Sequence, residues 1–150
     1  MPIEKATLIA HLRSTLQERI AAMETEIAAT LAARNSDTKS SAGDKHEVGR
    51  AMVQQELDQL EAQLAKAQVM QQELARVPLE RVYEHAGFGS LVGTDQGNYF
   101  IASGLGAVEV DGETCYAISL ASPIGQAMKD KGVGAVVDFN GKRIAVEKIT

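Results

Sequence analysis

Two long series of apolar residues at helical spacing, broken once by a polar stretch, constrain this chain more than any other feature. Ile9, Leu12, Leu16, Ile20, Met23, Ile27 and Leu31 recur every three or four positions, and Val53, Leu57, Leu60, Leu64, Ala67 and Leu74 repeat the pattern. Residues so spaced fall in one stripe down a helix. Neither helix can bury its stripe alone, and the short connection between them makes them antiparallel neighbours. The expected solution is a coiled-coil hairpin in which each arm covers the other. With roughly 30 residues per arm at ~1.5 Å each, its tip at residues 35–50 would stand about 45 Å from its base.

Local signals place the ends of these helices. Pro2 suits a first helical turn, where its missing N–H costs nothing, and Glu4 there complements the helix dipole. The first helix is expected over residues 3–33. Its alanines, among them Ala21, Ala22, Ala28, Ala29, Ala32 and Ala33, raise helix propensity and would permit close approach of the second arm. The run from Asn35 to Gly43 is small and polar, as a loop would be. Asp44 and Glu47 then stand in D-x-x-E spacing just before the second periodic segment. That is a capping-box pattern, in which Asp44 caps free N–H groups and Glu47 reaches back, and it equally supplies two acids at an exposed tip. Gly49 follows within the first turns of the second helix and weakens it by up to ~1 kcal/mol. The helix should end near Arg76, because Pro78 biases Val77 away from helical angles.

From residue 79 the period changes. Short apolar and β-branched runs at 90–93, 99–102, 107–110, 115–119, 135–139 and 144–149 alternate with turn signals. Asp111-Gly112 and Asn140-Gly141 are two-residue hairpin signals, because type I′ turns need positive φ at both central positions. One helix interrupts the strands, with Ser122 as N-cap, Pro123 in the first turn, and Ile124, Ala127 and Met128 facing inward. The fold class is therefore α+β: a helical hairpin over residues 1–78, then a small, mostly antiparallel sheet domain with one helix over 79–150.

Composition narrows the function. The chain of 150 residues is 45% apolar and 23% charged, with a net charge of −5, and basic residues are interleaved with acids in both halves. A protein that binds nucleic acid by neutralising phosphates needs a clustered positive surface, so only indirect contact with nucleic acid is expected. No apolar run approaches ~18 residues, and charges occupy the N-terminal stretch where a signal peptide would be apolar, so a cytoplasmic, non-membrane protein is expected. The single cysteine, Cys115, can build neither a disulfide framework nor a cysteine-based zinc site. No phosphate-binding glycine loop or Ser/His/Asp set is present. His11 and His85 are isolated, and His46 beside the tip acids is read as solvated.

Two segments carry a resemblance. Ile118-Ser-Leu-Ala-Ser-Pro-Ile-Gly-Gln-Ala127, followed by Lys131-Gly-Val-Gly134, resembles the I-S-x-x-S-P-[LI]-G-x-A and K-x-V-G-D runs of the C-terminal domain of the GreA/GreB transcript-cleavage factors. Independently, Gly43-Asp44-Lys45-His46-Glu47 is similar to the G-D-L-x-E segment at that family's coiled-coil tip. The order of parts agrees over the whole chain. The resemblance implies an FKBP-like sheet domain and a hairpin that enters the secondary channel of bacterial RNA polymerase. Asp44 and Glu47 would take the positions of the tip carboxylates that help hold a catalytic Mg²⁺ shared with the polymerase. Ser122, Pro123, Ile124 and Gly125 would mark the region that docks on the polymerase. No cofactor or metal site of its own and a monomeric state are expected.

The chain departs from the family after Glu47, where Val48-Gly49-Arg50-Ala51 replaces Asn-Ala-Glu-Tyr, and in the longer Ser-rich segment 35–43. A relative that occupies the channel without stimulating cleavage is the alternative. Two other classes stand beside it: a coiled-coil adaptor, and a prolyl isomerase of the FKBP type. The isomerase reading is disfavoured because the six aromatic residues, Tyr83, Phe88, Tyr99, Phe100, Tyr116 and Phe139, are no more than a core of this size absorbs.

Overall fold

The computed structural model describes residues 3–37 and 43–150, without the side chains of residues 36, 37 and 43–48. The two periodic segments form helices α1 (Lys5–Asp37) and α2 (Gly43–Ala75), 33 residues each. At ~1.5 Å per residue each is about 50 Å long. Helix α1 runs further than its composition suggests, carrying Asn35, Ser36 and Asp37, which favour caps and turns over helix interiors. Arg34 holds this last turn: its Nη1 donates to Gln54 Oε1 on α2 at 3.1 Å, and Gln54 Nε2 donates to Asp58 Oδ1 at 2.9 Å. The guanidinium also complements the negative end of the α1 dipole. At the other end, α2 closes with turn bonds from Arg76 N to Glu73 O and from Val77 N to Leu74 O, one residue before Pro78.

The chain divides into two compact units, Thr15–Val69 on one side and Met1–Ser14 with Met70–Thr150 on the other. In the first unit the helices turn their apolar stripes toward each other, and burial is graded. Leu16, Leu57, Leu60 and Ala67 are buried, whereas Ile20, Met23, Ile27, Leu31, Val53 and Leu64 are only half-buried. Two helices without a third layer cannot seal a stripe completely. Ala21, Ala22, Ala28, Ala29, Ala32 and Ala33 are all exposed. Close approach of the second arm is therefore not what they provide. Their contribution is intrinsic helix propensity on the solvent face.

The second unit holds six strands: β1 (Leu91–Thr94), β2 (Gly97–Ile101), β3 (Gly106–Val110), β4 (Glu113–Ile118), β5 (Val136–Phe139) and β6 (Lys142–Ile149), with the six-residue helix α3 (Pro123–Met128) between β4 and β5. They form one sheet in the order β3-β4-β2-β1-β6-β5. Asp111 and Gly112 take φ of 52° and 78°, and Asn140 and Gly141 take 50° and 78°, as type I′ hairpins require. All pairs are antiparallel except β2 with β4, which run parallel with Tyr99 beside Tyr116. This one parallel pair arises because β3 leaves the end of β2 for the edge and β4 returns between them.

Alternation puts one side of every central strand into a shared core. Val92, Ile101, Val137, Ile144 and Val146 pack with Met128 of α3, and Ile124 and Ala127 lie against them. The same unit includes both outer helix ends, where Ile3, Leu8, Ile9, Leu12, Leu74 and Val77 are buried. Polar ties accompany that burial. Ser103 Oγ donates to the Met70 carbonyl at 2.7 Å, and Lys5 Nζ donates to the Thr150 carbonyl at 3.1 Å. Residues 1–14 and 70–78 group with the sheet in this division.

Candidate functional site: the hairpin tip, the α3 cap and an aromatic groove

Helix α2 begins at Gly43, so Asp44 and Glu47 lie in its opening turns, three positions apart on one helix face. Their side chains, and hence the reciprocal capping-box bonds, lie outside the described residues, as does the side chain of His46. Below them, α1 and α2 enclose an open hollow of about 530 Å³ lined by Arg34, Asn35, Arg50, Ala51 and Gln54. Arg50 follows the acid pair along α2, and Arg34 lies in the last turn of α1. Gly49 is part of α2, and a Cβ built on it would meet nothing within 4 Å. No packing constraint explains a glycine there.

The second motif is a helix start. Ser122 takes extended angles, φ −67° and ψ 158°, and its Oγ accepts from Gly125 N at 3.1 Å while donating to the Ser119 carbonyl at 2.7 Å. Pro123 occupies the first turn, where it forfeits no bond. Gly125 is buried, and a Cβ on it would collide with the Ser119 carbonyl and sit 2.8 Å from that of Leu120. Ile124 is half-buried against the core, and Pro123 is exposed. Of these four residues, three have a clear task within the fold, and Pro123 is the one left on the surface.

Two further places were not foreseen from sequence. Gln96, Tyr99, Tyr116, Phe139, Asn140, Lys142 and Ile144 line a groove of about 390 Å³. The rings of Tyr99 and Tyr116 lie 5.1 Å apart between centroids and are tilted by 30°. Burial, and then the neighbouring Tyr116, push the Tyr99 hydroxyl pKa above its usual value. The signal that would have found this groove is the parallel β2–β4 register, which no local turn motif reveals. An open hollow of about 430 Å³ is lined by residues 81–87 and Asp130. Beside it, Lys5 Nζ and Arg81 Cζ stand 4.4 Å and 4.8 Å from the centroid of the buried Tyr83 ring. Burial, and then Arg81, lower the Lys5 pKa.

Cys115 is fully buried, and desolvation, opposed by a backbone hydrogen bond with Phe100, pushes its thiol up to about 12. It is inert at neutral pH. Among the described residues no three His, Cys, Asp or Glu side chains come together as a metal site. No described helix is long and apolar enough to cross a membrane.

No family model and no curated protein matches the chain. One solved structure is similar. It is that of the transcription factor Gfh1, 19% identical over 91% of this chain and 93% of that one, with a TM-score of 0.37.

Proposed function

We propose that the chain is a Gre-like regulator of transcription elongation that binds bacterial RNA polymerase and inserts its hairpin tip into the secondary channel. The observation that carries this reading is the agreement of two separated motifs with two separate structural settings. Gly43-Asp44-Lys45-His46-Glu47 opens α2, and Ile118 to Ala127 forms the end of β4 and the capped start of α3. A coiled-coil character for the arms, an FKBP-like character for the sheet domain and a monomeric, cytoplasmic state belong to the same proposal.

The mechanism follows from what each part supplies. Helix α2 carries Asp44 and Glu47 three positions apart, about one turn, at its start. Hard oxygen donors of this kind are the ligands Mg²⁺ takes, and two of them complete a site only where other ligands are already present. The metal, bound in the polymerase, would supply Lewis-acid activation of water. The chain itself has no catalytic residue in this scheme; its acids orient and its helices deliver. Pro123, exposed at the α3 cap, is the docking contact of this region, and Ser122, Ile124 and Gly125 set the cap that presents it.

A second reading has a specific motive. Val48-Gly49-Arg50-Ala51 lacks the further acid and the aromatic that the family has there, which favours a protein that fills the channel without promoting cleavage. Retention of the full-length chain on immobilised core RNA polymerase, reduced by Pro123→Ala, supports the proposal. Failure to bind core polymerase at any salt concentration leaves the adaptor reading in its place.

A further inference from the structure

Lys5 is set apart from the other lysines among the described residues. Lys66, Lys129, Lys131, Lys142 and Lys148 are exposed, whereas Lys5 is half-buried. Its Nζ donates to the Thr150 carbonyl at 3.1 Å and stands 4.4 Å from the centroid of the Tyr83 ring. These contacts hold the amine in one place, where an ordinary lysine sweeps through solvent on a flexible four-carbon stem. The platform beneath it is fixed as well. Tyr83 is buried, and Gly89 leaves room for its hydroxyl, which a Cβ there would strike.

The surroundings work against the ammonium form. The Arg81 guanidinium shares the same ring, its Cζ 4.8 Å from the centroid. Lys5 is also the first residue of α1, so its charge stands at the positive end of the helix dipole with no acid in the first turn. Glu4, just ahead of the helix, accepts from Thr7 Oγ1 at 3.4 Å. Burial, and then Arg81, lower the Lys5 pKa accordingly. An amine desolvated beside a second cation is the setting in which lysine becomes a nucleophile near neutral pH.

We propose that Lys5 is a site of acylation by acyl phosphates, whose phosphate docks on Arg81 while the acyl carbon meets the amine. Arg81 is exposed, and a guanidinium binds phosphate through two parallel N–H···O bonds. The free amine attacks the acyl carbon. The N–C bond forms as the C–O bond to phosphate breaks, and the amine proton leaves with hydrogen phosphate. The amide produced has no charge, so it gives up the cation–π contact with Tyr83 and keeps one N–H for the Thr150 carbonyl. Acylation thereby loosens the tie between the first turn of α1 and the residue after β6. The proposal stands apart from the polymerase reading, since no residue of the tip or of the α3 cap takes part.

The test treats the native full chain with acetyl phosphate at neutral pH, stops at low conversion and quantifies each acetylated lysine by peptide mass spectrometry. Lys5 is expected to react several-fold faster than the exposed Lys66 and Lys142, and at a rate similar to theirs in urea, where the geometry is gone. Arg81→Ala, at an exposed position, should slow acetylation of Lys5 several-fold, as loss of one exposed charge contact does, and leave Lys66 and Lys142 unchanged. With phenyl acetate, an uncharged donor, the same substitution should change the Lys5 rate less. Native Lys5 reacting no faster than Lys66 and Lys142 would overturn the proposal. So would a preference for Lys5 that persists in urea, a wild-type rate with acetyl phosphate in Arg81→Ala, or equal slowing with both donors, which leaves Arg81 no part in docking.

Discussion

The sheet unit and the outer hairpin bury their apolar residues to very different degrees. In the sheet unit Val92, Phe100, Ile101 and Met128 are wholly inaccessible, and layers of strand, α3 and helix ends surround them. In residues 15–69 most of the stripe is half-exposed. Stability therefore resides in the sheet unit, while the hairpin is held by a long, thin seam and by the propensity of its exposed alanines. The tip follows the same trend further, with Gly49 where alanine would fit. A region so lightly built is selected for what it presents rather than for how tightly it packs.

The contrast should be plainest in truncations. Phe100→Ala, at a fully buried position, should cost about 3–5 kcal/mol and unfold the sheet unit in modest denaturant. Ile27→Ala on the half-buried stripe should cost about 1 kcal/mol. Equal losses in chemical denaturation would mean that the hairpin core is sealed and that the contrast is wrong.

Next in size is Gly125→Ala. A methyl group there runs into the Ser119 and Leu120 carbonyls, so about 1–3 kcal/mol should be lost through displacement of α3. Pro123→Ala, two residues away and exposed, should leave the thermal midpoint nearly unchanged. The pair separates folding from docking within one motif. If Gly125→Ala unfolds at the wild-type temperature, the glycine is not explained by packing.

Gly49→Ala should act in the opposite direction. The side chain meets nothing, so the helix gains up to ~1 kcal/mol, read as greater amide protection around residues 46–60. A stabilised tip with unchanged transcriptional effect would show that pliability at Gly49 has no role. Destabilisation would show that the helix is not continuous there.

Much of this was legible from pattern. All six strands fall within a few residues of the runs read from the sequence, because turn chemistry at Asp111-Gly112 and Asn140-Gly141 punctuates them locally. The start of α3 was legible for the same reason: Ser-Pro-x-Gly specifies a cap through atoms three residues apart. What escaped depends on distant partners. The parallel pairing of β2 with β4 is decided by where β3 goes, and the sequence between Ala102 and Leu105 does not encode that choice. The aromatic groove escaped with it, since Tyr99 and Tyr116 become neighbours only through that register. Arg34 carried the extra turn of α1 by reaching Gln54, a tertiary contact that overrides the turn preference of Asn35 to Asp37. The exposed alanines were misplaced because propensity and packing call for the same residue.

The central claim is that Asp44 and Glu47 serve a metal in a partner rather than only the start of α2. Asparagine caps a helix as well as aspartate does, whereas a Mg²⁺ ligand needs negative charge on oxygen. The direct measurement is transcript cleavage and escape in stalled elongation complexes, with wild type and the Asp44→Asn/Glu47→Gln double variant compared at matched polymerase occupancy. The account predicts that the double variant folds and binds as wild type does but loses its effect on the stalled complexes. Wild-type behaviour of the double variant would contradict it and return the two acids to the helix they begin.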